Sequence, residues 1–285
     1  MKQCWRWFGP KDIIPLRSLH QAGVEGIVTA LHDQPPGEVW PSHSIQERMD
    51  LLAAAGFSWD VVESLPVSET IKTKGQDYST HLVNYRQSLR NLAALGIQTV
   101  CYNFMPILDW TRTDLRAPQS HGGNAMLFSL LDFAVFDLFI LKRSGAADDY
   151  SPEHQERAKD RFDGLSDTAR RALQNNIIAG LPGANDNWTL SDVQSRLATY
   201  DGIDARQLSA NLIDFLAEVL PVAEQVGIRM CCHPDDPPFP LLGLPRVMSS
   251  LDDYARTLEA IDTPANGATL CTGSLGVSES FDPVA

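Results

Sequence analysis

Late in the chain, His233 and Cys271 offer the donor types best suited to a metal ion. An imidazole beside a thiolate favours a borderline cation such as Fe2+, Mn2+ or Zn2+ over Mg2+. His233 opens the run His233-Pro234-Asp235-Asp236-Pro237-Pro238. Pro234 holds the preceding backbone extended, and the later prolines stiffen the loop that carries both carboxylates, a set suited to a metal or a polyol. A plainer reading carries equal weight: a histidine and two aspartates that satisfy turn hydrogen bonds. On residue type alone Cys271 fits better a small buried strand cysteine, as Cys101 and Cys231 do. Two ligands also fall short of an open catalytic centre, which usually has about three from the protein.

Other residues have chemistry to offer. His32, in the loop His32-Asp33-Gln34-Pro35-Pro36, can contact a substrate or shape a turn. Glu63 closes an apolar run and is costly there unless paired. Asn103, Asp109 and Arg112 place an amide, a carboxylate and a cation in one stretch. That set can grip hydroxyls and a carboxylate through the Arg112 fork, or form only a surface salt bridge. Arg6 lies among Trp5, Trp7 and Phe8. The group is either a hydrophobic plug or a cation placed for a carboxylate.

The elements that must position these groups alternate. Apolar runs at 23–31, 57–63, 97–103, 228–233 and 268–272 read as strands. Amphipathic stretches at 44–55, 79–95, 205–226 and 249–261 read as helices. The first of these helices is expected to open on a serine cap, and Pro221 is expected to kink the third. Between 104 and 204 the rhythm breaks into an insertion, helical in pattern at 124–142, 151–164 and 166–178, with turns at 181–183 and 185–187. The whole reads as one domain, 1–285, with the insertion inside it. Alternating apolar strands and helices imply parallel pairing, in an open doubly wound sheet or in part of an eight-stranded barrel. The loop after the first strand, 30–36, has no Gly-rich phosphate pattern, which removes support for a nucleotide fold. In either parallel architecture the strands' carboxyl ends collect the functional groups. The five runs end at His32, Glu63, Asn103, His233 and Cys271.

Composition bounds the partners. A formal net charge of −13 is wrong for a nucleic-acid surface, which needs clustered Lys and Arg. The most apolar helical stretch, 125–141, is short and broken by Asp132 and Asp137, so no membrane span is expected. The N-terminus has no secretory pattern, and 5 cysteines without framework spacing suit reduced thiols in a cytoplasm.

Eight segments carry a resemblance: 5–10 (WRWFGP), 26–32 (GIVTALH), 37–40 (GEVW), 61–64 (VVES), 99–114 (TVCYNFMPILDWTRTD), 176–183 (NIIAGLPG), 233–238 (HPDDPP) and 271–274 (CTGS). Taken together, in order, they resemble the mannonate dehydratase family. The resemblance implies a TIM barrel of the xylose-isomerase type, an α/β fold. It also implies a lyase of hexuronate (glucuronate) catabolism that eliminates water from D-mannonate to give 2-keto-3-deoxy-D-gluconate. The cofactor implied is Mn2+ or Fe2+, with His233 and Cys271 as two of its ligands. Arg6, Asn103, Asp109, Arg112, Asp235 and Asp236 become candidates for binding a small-molecule sugar acid, and there is room for a homo-oligomer. The family's remaining ligands are a histidine after a sixth strand and one residue of an Arg-Pro-Asp-His-Gly run that also carries the acid/base histidine; this sequence shows neither, which leaves Asp236 and His32 as the candidates for that role. Residues 278–285 match nothing of that tail, so an incomplete barrel of about five of eight βα units is expected, with weak turnover or none. The alternatives are an inactive barrel fragment, a partner-bound remnant, or a related sugar isomerase.

Overall fold

Apolar runs spaced by amphipathic helices build one parallel sheet. In the computed structural model, which describes residues 1–179, 188–279 and 281–284, its strands are β1 (Cys4–Arg6), β2 (Gly26–Thr29), β3 (Trp59–Glu63), β4 (Thr99–Tyr102), β7 (Arg229–Cys232) and β8 (Asn266–Ala268). A separate hairpin pairs β5 (Asp114–Pro118) with β6 (Asn124–Leu127). The chain divides into two compact units: Met1–Phe104, Ala205–Pro234 and Val247–Ala285 in the first, Met105–Asp204 and Asp235–Arg246 in the second.

In the first unit the sheet order is β1-β2-β3-β4-β7-β8, and every neighbouring pair is parallel. Each new strand is added on the same side as the last. A doubly wound sheet must reverse direction at a switch point, whereas a barrel winds one way only. The winding is therefore of the barrel type. β1 and β8 pair with other strands but not with each other among the described residues, so the sheet is open.

Four of the five expected strands lie inside their predicted ranges. The fifth ends four residues early, at Ala268, and Cys271 caps the short helix Thr272–Leu275 instead of closing a strand. β1 is an addition. Its residues are exposed or half-buried, and Trp5 is 41% exposed, so no apolar alternation announces it. The helix Ser42–Ala54 starts two residues before the expected serine cap, with Pro41 at the cap and no side-chain hydrogen bond there. Proline suits such a helix entrance because its fixed φ is already compatible and its missing N–H is not needed. The helix Leu251–Ala260 is entered through a capping box, Ser250 with Asp253.

The core of this unit is set by the helix Ala205–Val226, which buries Leu208, Leu212, Phe215, Leu216, Val219 and Ala223 at helical spacing. It runs through Pro221 without a break. Phe215 meets Tyr85 edge-on at 5.0 Å between ring centres, Tyr102 at 5.8 Å and Phe104 at 6.0 Å. Tyr85 comes from the helix Tyr78–Ala94, while Tyr102 ends β4. One aromatic thus ties two helices to the middle of the sheet.

The second unit is mostly helical, but residues 124–127 form β6 where a helix is expected. Beyond it Leu130–Val135 continues into a π-helical stretch, Phe136–Leu141. Asp137, fully buried there, is held bidentately by Arg143 at 2.9 and 2.7 Å and by the Tyr150 hydroxyl at 3.1 Å. The turns expected at 181–183 and 185–187 lie outside the described residues. Among the described residues no helix is long and apolar enough to cross a membrane.

Replacing Phe215 by Ala empties the contact shared by three rings, and core Phe→Ala changes cost roughly 3–5 kcal/mol. Urea unfolding of the Phe215→Ala variant is expected to show a loss of that size.

Candidate functional site

Because the strands are parallel, their carboxyl ends face one way. Arg6 ends β1, Glu63 ends β3, Asn103 and His233 directly follow β4 and β7, and His32 and Cys271 lie three residues beyond β2 and β8. The polar set expected at the strand ends is thus delivered to one edge of the sheet, with Arg6 added by the unforeseen β1.

His233 and Cys271 are brought together. The His233 Nδ1–H donates to the Pro234 carbonyl at 2.7 Å, which leaves Nε2 for the Cys271 thiol. The hydrogen bond from His233 draws the Cys271 pKa down to about 6; burial opposes this, and Ser274 assists. Burial alone would lower the His233 value, but the Cys271 hydrogen bond and charge, with Glu63 behind them, raise it. The pair is a thiolate and an imidazole, each already anchored on a second group, as metal-binding side chains usually are. Among the described residues no group of three or more His, Cys, Asp or Glu is placed to hold a metal ion. The pair suits a divalent cation in donor type and supplies part of a ligand set.

Glu63 is half-buried and ion-paired with Arg6, whose guanidinium also lies over the Phe8 ring at 5.3 Å. This answers why a carboxylate ends a buried strand, and it means that Arg6 already has an anion. Asn103 is buried, with its Nδ2 donating to the Ser64 hydroxyl at 3.3 Å. Both ring nitrogens of His32 are buried without a hydrogen-bond partner. Burial, then the charges of Arg48 and Arg6, hold its pKa near 4, with Asp33 pulling weakly the other way. His32 is therefore a neutral ring at neutral pH. Arg48 was not foreseen; it lies mid-helix in Ser42–Ala54, where an arginine reads as a solvated charge, yet it is only 7% exposed.

The second unit holds its own charged cluster. Arg112 clamps Asp236 through two hydrogen bonds, at 3.1 and 2.7 Å, and its guanidinium lies 4.9 Å from the Trp110 ring centre. The Arg112 fork expected to receive a substrate carboxylate is thus occupied by one from the protein, and Asp236 has both oxygens engaged. Asp235 is almost fully buried. Arg246, also unforeseen, donates to the Leu108 carbonyl at 2.9 Å. Burial lowers its pKa, against the charges of Asp235, Asp109 and Asp236. Its only sequence signal is its distance of ten residues from the His233-Pro-Asp-Asp run, which is no signal at all.

The sequence profile of the family described as D-mannonate dehydratase (UxuA) matches residues 1–284. Mannonate dehydratase 1 of Agrobacterium fabrum is 54% identical over 282 residues, which is 99% of this chain and 70% of that protein. The mannonate dehydratase of Chromohalobacter salexigens is 53% identical over 285 residues, 100% of this chain and 73% of the relative. Among solved structures, that of mannonate dehydratase from Streptococcus suis serotype 2 is similar at a TM-score of 0.72 and 33% identity, covering 100% of this chain and 66% of that one. The match to residue 284 overturns the expectation that the closing residues depart from the family.

His32 generates a test with a defined sign. Its folded value near 4 lies below the usual 6.5, so the unfolded chain binds the extra proton between them. Stability is complete above about pH 6.5 and falls as pH drops toward 4, by up to about 3 kcal/mol. Urea midpoints at pH 7, 5.5 and 4.5 are expected to fall less steeply in His32→Phe, which keeps a ring and removes the titration.

Proposed function

The chain belongs to the D-mannonate dehydratase family, and on that premise we propose that it eliminates water from D-mannonate to give 2-keto-3-deoxy-D-gluconate. The observation that carries this reading is the His233–Cys271 pair at the carboxyl edge of the sheet. His233 through Nε2 and Cys271 through Sγ would hold Mn2+ or Fe2+. The bound cation would supply Lewis-acid stabilisation of the negative charge that develops beside the carboxylate when the α-proton leaves.

The chain's own groups have narrower tasks. A base must take the proton from the carbon next to the carboxylate, and an acid must protonate the departing hydroxyl on the following carbon. Asp236 is a poor base while the Arg112 fork holds both its oxygens. His32, with a pKa near 4, is a weak proton acceptor at neutral pH but can donate one hydrogen bond and accept another. Asn103 presents an amide at the end of β4, suited to sugar hydroxyls, and Asp109 and Asp235 are carboxylates that accept from hydroxyl donors. Arg6, neutralised by Glu63, positions that carboxylate behind His233.

The test has two independent readings. Purified chain handled anaerobically with Mn2+ or Fe2+ is expected to bind about one ion and to release a 2-keto-3-deoxy acid from D-mannonate. Binding and turnover should both be lost in Cys271→Ser and His233→Ala. Apart from activity, iodoacetamide is expected to label Cys271 ahead of the buried Cys101 and Cys232, and added Mn2+ to slow that labelling. Metal-independent labelling together with no dehydration would sink the proposal and leave a folded chain without this chemistry.

A further inference from the structure

An arginine that receives a substrate carboxylate needs a free fork, and most of the half-buried arginines near these sites have none. Arg6 is paired with Glu63, Arg112 with Asp236, and Arg143 with Asp137 and Asp149. Arg246 sits among three aspartate charges. Arg48 differs. It is buried and, among the described residues, it forms no ion pair; the nearest acidic influence on it is Asp33, which is exposed and bridges to Lys11 at 3.6 Å. Its Nη1 donates to the Ala30 carbonyl at 2.6 Å and approaches the Thr29 hydroxyl at 3.5 Å. The Nε and Nη2 donors, which form the side-on fork that matches a carboxylate, make no hydrogen bond among the described residues. A buried guanidinium held in place by a carbonyl, with its fork unused, is an expensive arrangement without an anion.

We propose that Arg48 and His32 form the carboxylate-binding corner of this chain, taking the acid end of a polyhydroxy acid. The inference rests on the dehydratase reading for the choice of sugar acid, but the corner itself stands on geometry. The spot where a Cβ on Gly9 would lie is 3.2 Å from Arg48 Nη1, 3.4 Å from Arg48 Nη2 and 3.4 Å from His32 Nδ1. Guanidinium and imidazole therefore both lie against Gly9, which at φ +87° packs there too closely to carry a side chain. The Trp7 ring packs 5.7 Å from the Arg48 guanidinium, and the Phe8 ring lies 6.0 Å from His32, so both polar groups are backed by aromatic walls. Arg48 brings the charge. His32, held neutral by burial and by the two arginines, adds a hydrogen bond to the carboxylate or to the hydroxyl beside it without adding a second charge. Its two unpartnered nitrogens are the groups left waiting for such a ligand.

The test uses the full chain with 15N-labelled histidine, titrated at pH 7 with D-mannonate, with D-glycerate as a minimal hydroxy acid, and with D-mannitol as the uncharged control. Both acids are expected to shift the His32 ring resonances while D-mannitol leaves them unmoved. Calorimetry is expected to show acid binding weakened about tenfold or more in Arg48→Met, Gly9→Ala and His32→Phe. His32→Gln, which keeps a donor and an acceptor, should recover part of the loss. His32→Phe and His32→Gln keep the buried cation and leave Gly9 unchanged, so they report even if Arg48→Met or Gly9→Ala does not fold. The corner is overturned if the acids bind while His32 stays unmoved, if these two variants bind as tightly as the unsubstituted chain, or if no acid binds. Turnover is read separately. Dehydration of D-mannonate with an unmoved His32 discards the corner and keeps the dehydratase reading, whereas acid binding at His32 without dehydration does the reverse.

Discussion

Parallel pairing is the constraint on which the first unit depends. A strand that enters the sheet in the same direction as its neighbour must leave at the same edge, so each connection delivers its first residues to a common place. Arg6, His32, Glu63, Asn103, His233 and Cys271 are dispersed over most of the sequence, yet all lie at or just beyond strand ends. No long-range recognition between them is needed to gather them. Hydrogen bonding along β1-β2-β3-β4-β7-β8 does it, and the aromatic contacts of Phe215 with Tyr85, Tyr102 and Phe104 fix the middle of that sheet against its helices.

Gathering polar groups at an edge that is partly buried has a cost, and the chain meets it by pairing. Removing one partner from a buried ion pair is far more damaging than the pair is stabilising, because the survivor is left uncompensated. Arg6 with Glu63 in one unit and Arg112 with Asp236 in the other each keep two buried charges compatible with folding. The same pairing removes these arginines from the list of ready anion receptors. Residue type alone does not show which of these cations is already engaged, and the decisive fact about an arginine here is which acceptors occupy its donors.

That fact marks the limit of what was legible in the sequence. Apolar runs located four strands to within a few residues, because a buried parallel strand is apolar on both faces and this leaves a continuous signal. The parallel pairing and the polar residues at the strand ends followed from those runs, but the direction of winding did not, because an open doubly wound sheet fits the same runs. β1 was invisible because it is three residues long and not fully buried, and so has no apolar alternation to read. β6 was mistaken for helix because Asn124–Leu127 flows without a turn residue into the helical stretch that follows Ser129. Arg48 was missed for a different reason. Its helix has a weak apolar stripe, and nothing local distinguishes a buried arginine that meets the Ala30 carbonyl from a solvated one. The approach of Gly9 to that arginine depends on how a loop meets the helix, which periodicity does not encode.

The His233–Cys271 pair shows how local rules supply what long-range patterning cannot. Proline at 234 restricts the histidine backbone and offers the carbonyl that holds Nδ1, so one residue sets both the direction of the ring and the nitrogen left exposed to the thiol. On the other side, Ser274 lies one helical turn beyond Cys271 and contributes to lowering its pKa. Each side chain is thus oriented by its immediate sequence neighbours before it meets the other, and the strands β7 and β8 need only bring the two loops side by side. Side chains fixed in this way would lose little further freedom on meeting a cation, because the entropy of ordering them is spent during folding. Three residues beyond β8, where the chain turns into a helix, the Cys271 thiol meets His233 and Ser274, and these contacts favour its anion.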